Sequence, residues 1–376
     1  MSRISALILS LFLLINPIQY SSAEGYEKMT DLKSSLYVLF NKNAITSEYH
    51  KGEESTDIFD ESAPFSMDET VTVKKEKGRD FKILTLADIH YEDYGYRAFN
   101  SIFNDMKIRR LVKLTQPDLI ILPGDIVCGE SDYYSIQRIT DMMESFGVPW
   151  APVFGNHDDE ANCDQNFLAD TMIKSPHCLM RKGDSRMGVG NYIINVAEED
   201  SDGKMKTVEC IFMMDSHHSQ PNELQQKWFS RAAKGINELT GGTAEISLFM
   251  HIPLPEYQTA YEMVQNGELS MGGELHETVC CEHDENGAPL QRGFFDIIKE
   301  TGTAKYVFCG HDHRNDFSVE YDGVRLTYLM KLGLSSGFQP FFDGGSVITI
   351  GNNGISRITH KTSVLGIMKD ALDIKI

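Results

Sequence analysis

Five short apolar runs in this chain each end at or beside a histidine, aspartate or asparagine. That repetition limits the possible fold more than any other feature. The runs read FKILTLADIH, DLIILPGD, WAPVFGNHD, EISLFMHIP and KYVFCGHDH. Their content of Ile, Leu, Val and Phe is that of buried strands. Helical stretches separate them. In YRAFNSIFNDMKIRRLVKL, the residues Phe99, Ile102, Phe103 and Met106 recur at helical spacing, and Gln116-Pro117 ends the helix. DYYSIQRITDMMESFG and NELQQKWFSRAAKGINEL also read as helices, the second capped by Asn222. VECIFMMDSHH, VRLTYLMK and SVITIG add further strands. Alternating strands and helices predict an α/β layered fold. In such sheets ligands bind outside the carboxyl ends of the strands, so residues distant in sequence can converge on one rim.

The residues at those ends are Asp88 and His90, Asp125, Asn156 with His157 and Asp158, His251, and His311 with His313. Taken singly, each has an ordinary structural explanation. An Asp after a strand is commonly a turn or cap residue, and a lone His at a strand end is commonly hydrogen-bonded structure. Taken together, Asp88, Asp125, His90, His251, His311, His313 and Asn156 form a ligand set of carboxylates, imidazoles and one amide oxygen. Such a mixed set suits borderline divalent metals. It contains no thiolate, which argues against a closed structural zinc site. If one carboxylate bridges, the set serves two metals a few ångströms apart, an arrangement used for hydrolysis at phosphorus.

Composition narrows the partners. The formal charge of −20 disfavours nucleic acid and anionic lipid, and any phosphate site needs local positive charge such as bound metal. The segment MSRISALILSLFLLINPIQYSSAEGYEK has one Arg, an apolar run from Ile4 to Ile15, and small residues before Glu24. It reads as a signal peptide, residues 1–23, cleaved after Ala23, which predicts a secreted or lumenal protein: extracellular, periplasmic, vacuolar or lysosomal. The run is short against the roughly 20 residues a membrane span needs, so no stable span is expected after cleavage. Residues 24–78 read as an acidic, partly ordered extension that adds one or two edge strands, 79–361 as one catalytic domain, and 362–376 as a C-terminal tail. The cysteine count is 7, which leaves at least one thiol outside any intrachain pair. Cys163 and Cys178 are spaced for a loop-closing disulfide, and Cys309 reads as a buried thiol.

The order D-x-H, G-D, G-N-H-D, H, G-H-x-H resembles the calcineurin-like metallophosphoesterase superfamily over Arg79 to His360. PVFGNHD, HIPLPEY and VFCGHDHRNDF are similar to the purple-acid-phosphatase-related phosphoesterases of fungi and plants, some of whose plant members are labelled probably inactive. The resemblance implies a four-layer α-β-β-α sandwich of two mixed sheets flanked by helices. It implies that Asp88, His90 and His313 bind a first metal, that Asn156, His251 and His311 bind a second, and that Asp125 bridges. His157 would face the substrate, and a hydroxide held between the metals would attack phosphorus. The implied cofactors are two divalent or mixed-valence ions of Fe, Mn or Zn, and the implied partner is a phosphorylated small molecule or phosphoprotein.

Three departures qualify the resemblance. Purple enzymes place a Tyr three residues after the bridging Asp, where this chain has Cys128, so no purple colour is expected. Their first motif is D-x-G, whereas here His90 is available. The G-D-x-V-D-R-G motif of protein serine/threonine phosphatases is absent, so neither its Arg nor the Asp that orients its histidine can be assigned. Substrate-contact candidates are His217 and His218 after VECIFMM, Tyr257 after HIPLPE, and Arg314 beside GHDH. GGELHETVCCEHDENG reads as an acidic loop near the cleft rather than a third metal site. The leading expectation is a dinuclear phosphomonoesterase. The alternatives are a phosphodiesterase or nucleotide pyrophosphatase on the same metals, and a non-catalytic metal-stabilised binding protein. The last would have lost a ligand or His157, and neither is lost.

Overall fold

The computed structural model describes residues 49–92, 98–129, 133–160, 162–217, 219–279, 293–334, 343–364 and 367–376. The signal-peptide reading therefore lies outside the described residues. In chain order the elements are β1 (Thr70–Lys75), β2 (Phe81–Thr85), α1 (Ala98–Thr115), β3 (Leu119–Pro123), α2 (Tyr133–Ser145), β4 (Trp150–Val153), α3 (Gln165–Met172), β5 (Tyr192–Glu199), β6 (Met205–Met213), α4 (Glu223–Thr240), β7 (Glu245–Phe249), α5 (Glu256–Gln265), β8 (Met271–Gly272), α6 (Phe294–Glu300), β9 (Ala304–Cys309), β10 (Ser318–Tyr321), β11 (Val324–Tyr328), β12 (Gly344–Gly351), β13 (Gly354–Val364) and β14 (Ile367–Lys375).

These strands make two mixed sheets. One has eight strands in the order β1-β5-β6-β7-β9-β11-β10-β8, and the other has six in the order β14-β13-β12-β2-β3-β4. Parallel pairing links β2 to β3 to β4, and β6 to β7 to β9 to β11. Their side chains explain the layering. Along β7, Glu245, Ser247 and Phe249 share one face while Ile246 and Leu248 share the other, as the two-residue period requires. Phe249 packs with Ile211, Tyr306, Phe308, Ile348 and Ile358 in a core between the sheets. Ile246 and Leu248 pack with Trp228, Phe229, Tyr257 and Phe294, beneath α4, α5 and α6. Each such buried aliphatic side chain contributes about 1.5–3 kcal/mol.

The local signals account for much of this. Asn222 caps α4, its side chain accepting from Leu224 and Gln225 N–H while Gln225 reaches back to the cap. α1 stops at Thr115, before Gln116-Pro117. Its buried face, however, is not the one its apolar spacing predicts. Phe103 is 38% and Met106 43% exposed, whereas Ser101, Asn104, Ile108 and Leu111 are buried. The cause is polar: Asn104 Nδ2 donates to Ile89 O at 3.1 Å, and Ser101 Oγ accepts Glu92 N–H at 3.0 Å. These bonds hold the loop after β2 against the helix.

The chain ends add edge strands. β1 pairs in parallel with β5. Upstream of it, Phe59 and Phe65 lie 5.0 and 5.9 Å beneath the Arg231 guanidinium of α4. Residues 367–375, read above as part of a tail, form β14 against β13, with Arg357–Asp373 and Lys361–Asp370 ion pairs across the ladder. The expected Cys163–Cys178 disulfide is not formed. Cys178 is a thiol bridged by backbone to Trp150, while the backbone of Cys163 pairs with His50. Cys309 is a fully buried thiol.

Candidate metal centre

Every motif residue falls just past a strand. Asp88 and His90 follow β2, Asp125 follows β3, and Asn156 and His157 follow β4, all in the six-stranded sheet. His251 follows β7, and His311 and His313 follow β9, in the eight-stranded sheet. The rim therefore takes donors from both sheets. Backbone pairing continues past the strands to hold it: His90 N–H donates to Asp125 O at 2.9 Å, and Gly310 N–H to His251 O at 3.0 Å.

Two geometric features mark this rim. Among the described non-glycine residues with positive φ are Asp88 (51°), His90 (47°), Asp125 (49°) and His311 (71°). Such conformations cost about 1–3 kcal/mol each and persist where the surroundings impose them, often at functional sites. The motif glycines admit the carboxylates: a Cβ at Gly155 would stand 2.3 Å from Asp125 Oδ1, and one at Gly310 would stand 2.6 Å from Asp88 Oδ2. Any side chain there would displace a carboxylate.

The side chains converge in two overlapping groups. Asp88, His90, Asp125 and His313 form one, Asp125, His251 and His311 the other, each with its ligand atoms within 4.8 Å of one another. Asp125 belongs to both. Its Oδ2 lies 3.5 Å from His90 Nε2 and 3.2 Å from His251 Nε2. His90 Nε2 lies 3.0 Å from His313 Nε2, and His313 Nε2 lies 3.5 Å from Asp88 Oδ1.

The donor set fits a pair of metal ions. Asn156 Oδ1 is buried with no hydrogen-bond partner among the described residues, and buried Asp125 Oδ2 and His251 Nε2 have only each other, at 3.2 Å. Orphaned lone pairs of this kind are costly unless a cation takes them. His251 Nδ1 donates to Pro123 O at 3.0 Å, which fixes the ring with Nε2 toward the group. Electrostatics keep most donors unprotonated. Burial pushes Asp88 and Asp125 up, but the neighbouring histidines hold both carboxyls well below the usual range. Burial drives His90 down, and His311 down to about 4. Against its own burial, His251 is held up to about 10 by Asp125. A cation at Asp125 would take the place of that proton.

The softer candidates separate. His157 sits at the mouth, its ring centroid 5.4 Å from that of His90 and its Nδ1 2.6 Å from Glu160 Oε1. His217, at φ 52°, is held by Gln225 Oε1 at 3.1 Å and Asp215 Oδ2 at 3.4 Å. His218 lies outside the described residues. Tyr257 is a correction: it is fully buried in the outer core, and its hydroxyl donates to Val307 O at 2.8 Å. It packs against Phe317 and Tyr328 and does not line the rim. Arg314 has a carboxylate beside it. Its backbone N–H donates to Glu277 Oε1 at 2.9 Å, and its half-exposed side chain lies 3.9 Å from the same carboxylate. The remainder of the acidic loop that holds Glu277, residues 280–292, is outside the described set.

Three polar residues at the site escaped the sequence reading. Lys331, 3% exposed, donates from Nζ to Asp88 O at 3.2 Å, and burial pushes its ammonium down. Its signal was a basic residue ending the strand VRLTYLMK in an acidic chain. Glu92, buried, accepts from Cys128 Sγ at 3.1 Å. Glu160 binds His157, as described. Asp158 is not at the mouth: its Oδ1 accepts Ile126 and Val127 N–H at 2.9 Å each, its Oδ2 accepts Gly155 N–H at 2.7 Å, and burial with nearby Asp125 raises it to about 8.

Comparison with known proteins agrees with this geometry. The family model described as calcineurin-like phosphoesterase matches residues 81–315. The chain is 27% identical over 291 residues to probable inactive purple acid phosphatase 14 of Arabidopsis thaliana, covering 66% of this chain and 69% of that one. It is 26% identical over 279 residues to phosphatase DCR2 of Saccharomyces cerevisiae, covering 65% of this chain and 46% of that one. In fold it is similar to a dimetal phosphatase of Danio rerio, with TM-score 0.50 and 12% identity over 79% of this chain and 98% of the other.

Proposed function

Since the chain belongs to the calcineurin-like phosphoesterase family, hydrolases acting on phosphate esters, we propose that it is a dinuclear-metal phosphomonoesterase of a secreted or lumenal compartment. The observation that carries the reading is the shared carboxylate Asp125, whose buried Oδ2 faces His90 on one side and His251 on the other. Asp88, His90 and His313 would hold one ion, Asn156, His251 and His311 the other, and Asp125 both. A metal pair supplies an activated water at mild pH and neutralises charge on the phosphoryl oxygens.

The chain's own residues supply the rest. His157, 38% exposed at the side chain, faces the opening beside the ligands and would donate a proton to a substrate oxygen. Lys331 places a buried positive charge behind Asp88, which offsets part of the carboxylate charge. The plant relatives are named probable inactive, yet in this chain every motif position holds a residue able to bind metal, which supports an active enzyme. The resemblance of residues 1–23 to a signal peptide supports the compartment.

A diesterase on the same ligands is the second reading, because a metal pair can serve either class of phosphate ester. Metal-loaded protein should hydrolyse p-nitrophenyl phosphate faster than its bis-ester. The reverse ratio favours the diesterase. Loaded protein that hydrolyses neither from about pH 4 to pH 9 contradicts the enzyme reading.

A further inference from the structure

A histidine that moves a proton to substrate must have its ring held, and something must occupy its far nitrogen. Sequence adjacency suggests Asp158 for His157, but both Asp158 oxygens are committed to backbone N–H groups, Oδ1 to Ile126 and Val127 after β3 and Oδ2 to Gly155 after β4. The carboxylate on His157 is instead Glu160, 2.6 Å from Nδ1. Its second oxygen, Oε2, accepts Gly129 N–H at 3.0 Å. Gly129 lies on the loop that carries Asp125, and Asp125 Oδ1 in turn accepts His157 N–H at 2.9 Å. Glu160 therefore closes a ring of contacts: His157 side chain to Glu160, Glu160 to the Asp125 loop, Asp125 to the His157 backbone.

Stability does not explain the arrangement. The pair is 38% and 43% exposed, and an ion pair in that setting contributes at most about 1 kcal/mol. Its consequence is orientation. With Nδ1 engaged by Glu160, Nε2 is the nitrogen His157 can offer to a ligand on the rim. We propose that Glu160 is the positioning residue for His157, fixing the ring so that Nε2 faces the substrate. This assignment rests on the reading of His157 as the substrate-facing group.

The substitution Glu160→Gln tests it. The shape is kept, but with its carbonyl on the Gly129 N–H the Gln can meet the ring only by donating its NH2 to an Nδ1 that carries no proton, so the Nδ1–H to carboxylate bond is lost. In metal-loaded enzyme, Glu160→Gln should lower kcat about 10- to 100-fold with little change in KM. The loss should be greater for an alkyl phosphate than for p-nitrophenyl phosphate, whose leaving group needs less protonation. In a His157→Ala background the same substitution should cost nothing more. Equal, additive losses in both backgrounds overturn the proposal. A second readout needs no activity: the imidazole Nδ1–H proton of His157, followed by 15N-edited NMR, should sit downfield in the parent and move in Glu160→Gln. An unchanged resonance overturns the contact itself. A parent protein that hydrolyses no phosphate ester, while the resonance behaves as expected, defeats the functional reading and leaves the positioning contact intact.

Discussion

A buried ionisable group lies at each end of strand β7, on its own chain at one end and on the neighbouring β6 at the other, and the two ends are organised in opposite ways. Past its carboxyl end, His251 meets Asp125 at 3.2 Å within a set of carboxylates and imidazoles. At its amino end, about 20 Å away at strand rise, Glu245 pairs in register with Glu209 of β6. Glu209 is fully buried, and neither of its oxygens has a partner among the described residues. Both ends bury carboxylates between the sheets. At the rim, histidines pull the carboxyl groups down, ready for metal. At the other end, burial and then the charge of Glu245 push Glu209 well above its ordinary value. Burial thus costs stability at one end, and at the rim it also yields a site.

The contrast can be broken most severely at the rim. Asp125→Asn removes a charge shared by both ligand groups, and phosphatase turnover should fall more than roughly 10²-fold along with metal binding. Retained activity in p-nitrophenyl phosphate assays would dissolve the distinction between the two ends. His157→Ala should cut turnover by about 10²–10⁴ while metal content, measured on the same preparation, stays at the parent level. If the metal leaves with it, His157 is a ligand and the assignment of roles changes.

At the other end the expected sign reverses. Glu209 binds its proton more tightly folded than unfolded. Its contribution to stability is fully present below the unfolded value of about 4.3 and is lost as pH rises toward the folded value. Glu209→Met should therefore stabilise the protein by about 1–3 kcal/mol near pH 7, with the gain shrinking toward pH 4 in thermal melts. A melting temperature lowered at both pH values would mean the carboxylate has a partner that matters. Smallest of all, Tyr257→Phe removes the hydroxyl bonded to Val307 O and should cost about 1 kcal/mol with kcat and KM unchanged. A changed KM would return Tyr257 to the substrate site.

How much of this was legible in the sequence follows the same division. The rim could be read because each donor is tied to a strand end, and a strand end is a local pattern. The helix α4 could be read because its cap is local too. The inner face of α1 could not: Ser101 and Asn104 are turned inward by bonds to Glu92 and Ile89, a tertiary demand that overrides apolar spacing. Glu160 and Asp158 differ by two positions, and only the turn geometry decides which one faces His157. Tyr257 follows a metal-site motif by a few residues, yet the first turns of α5 carry it into the core. Glu209 gave no warning, since a Glu within VECIFMM reads as the polar face of a half-buried strand. Its burial comes from the second sheet, whose Gly354 packs against Glu245.

The central claim is that Asp125 is shared by two ions on one rim. Metal content per chain in the parent and in Asp125→Asn, after reconstitution and removal of loose metal, tests it most directly. The account predicts two equivalents in the parent and a loss at both positions in the variant. A single equivalent in the parent, or a variant that keeps both, would contradict it.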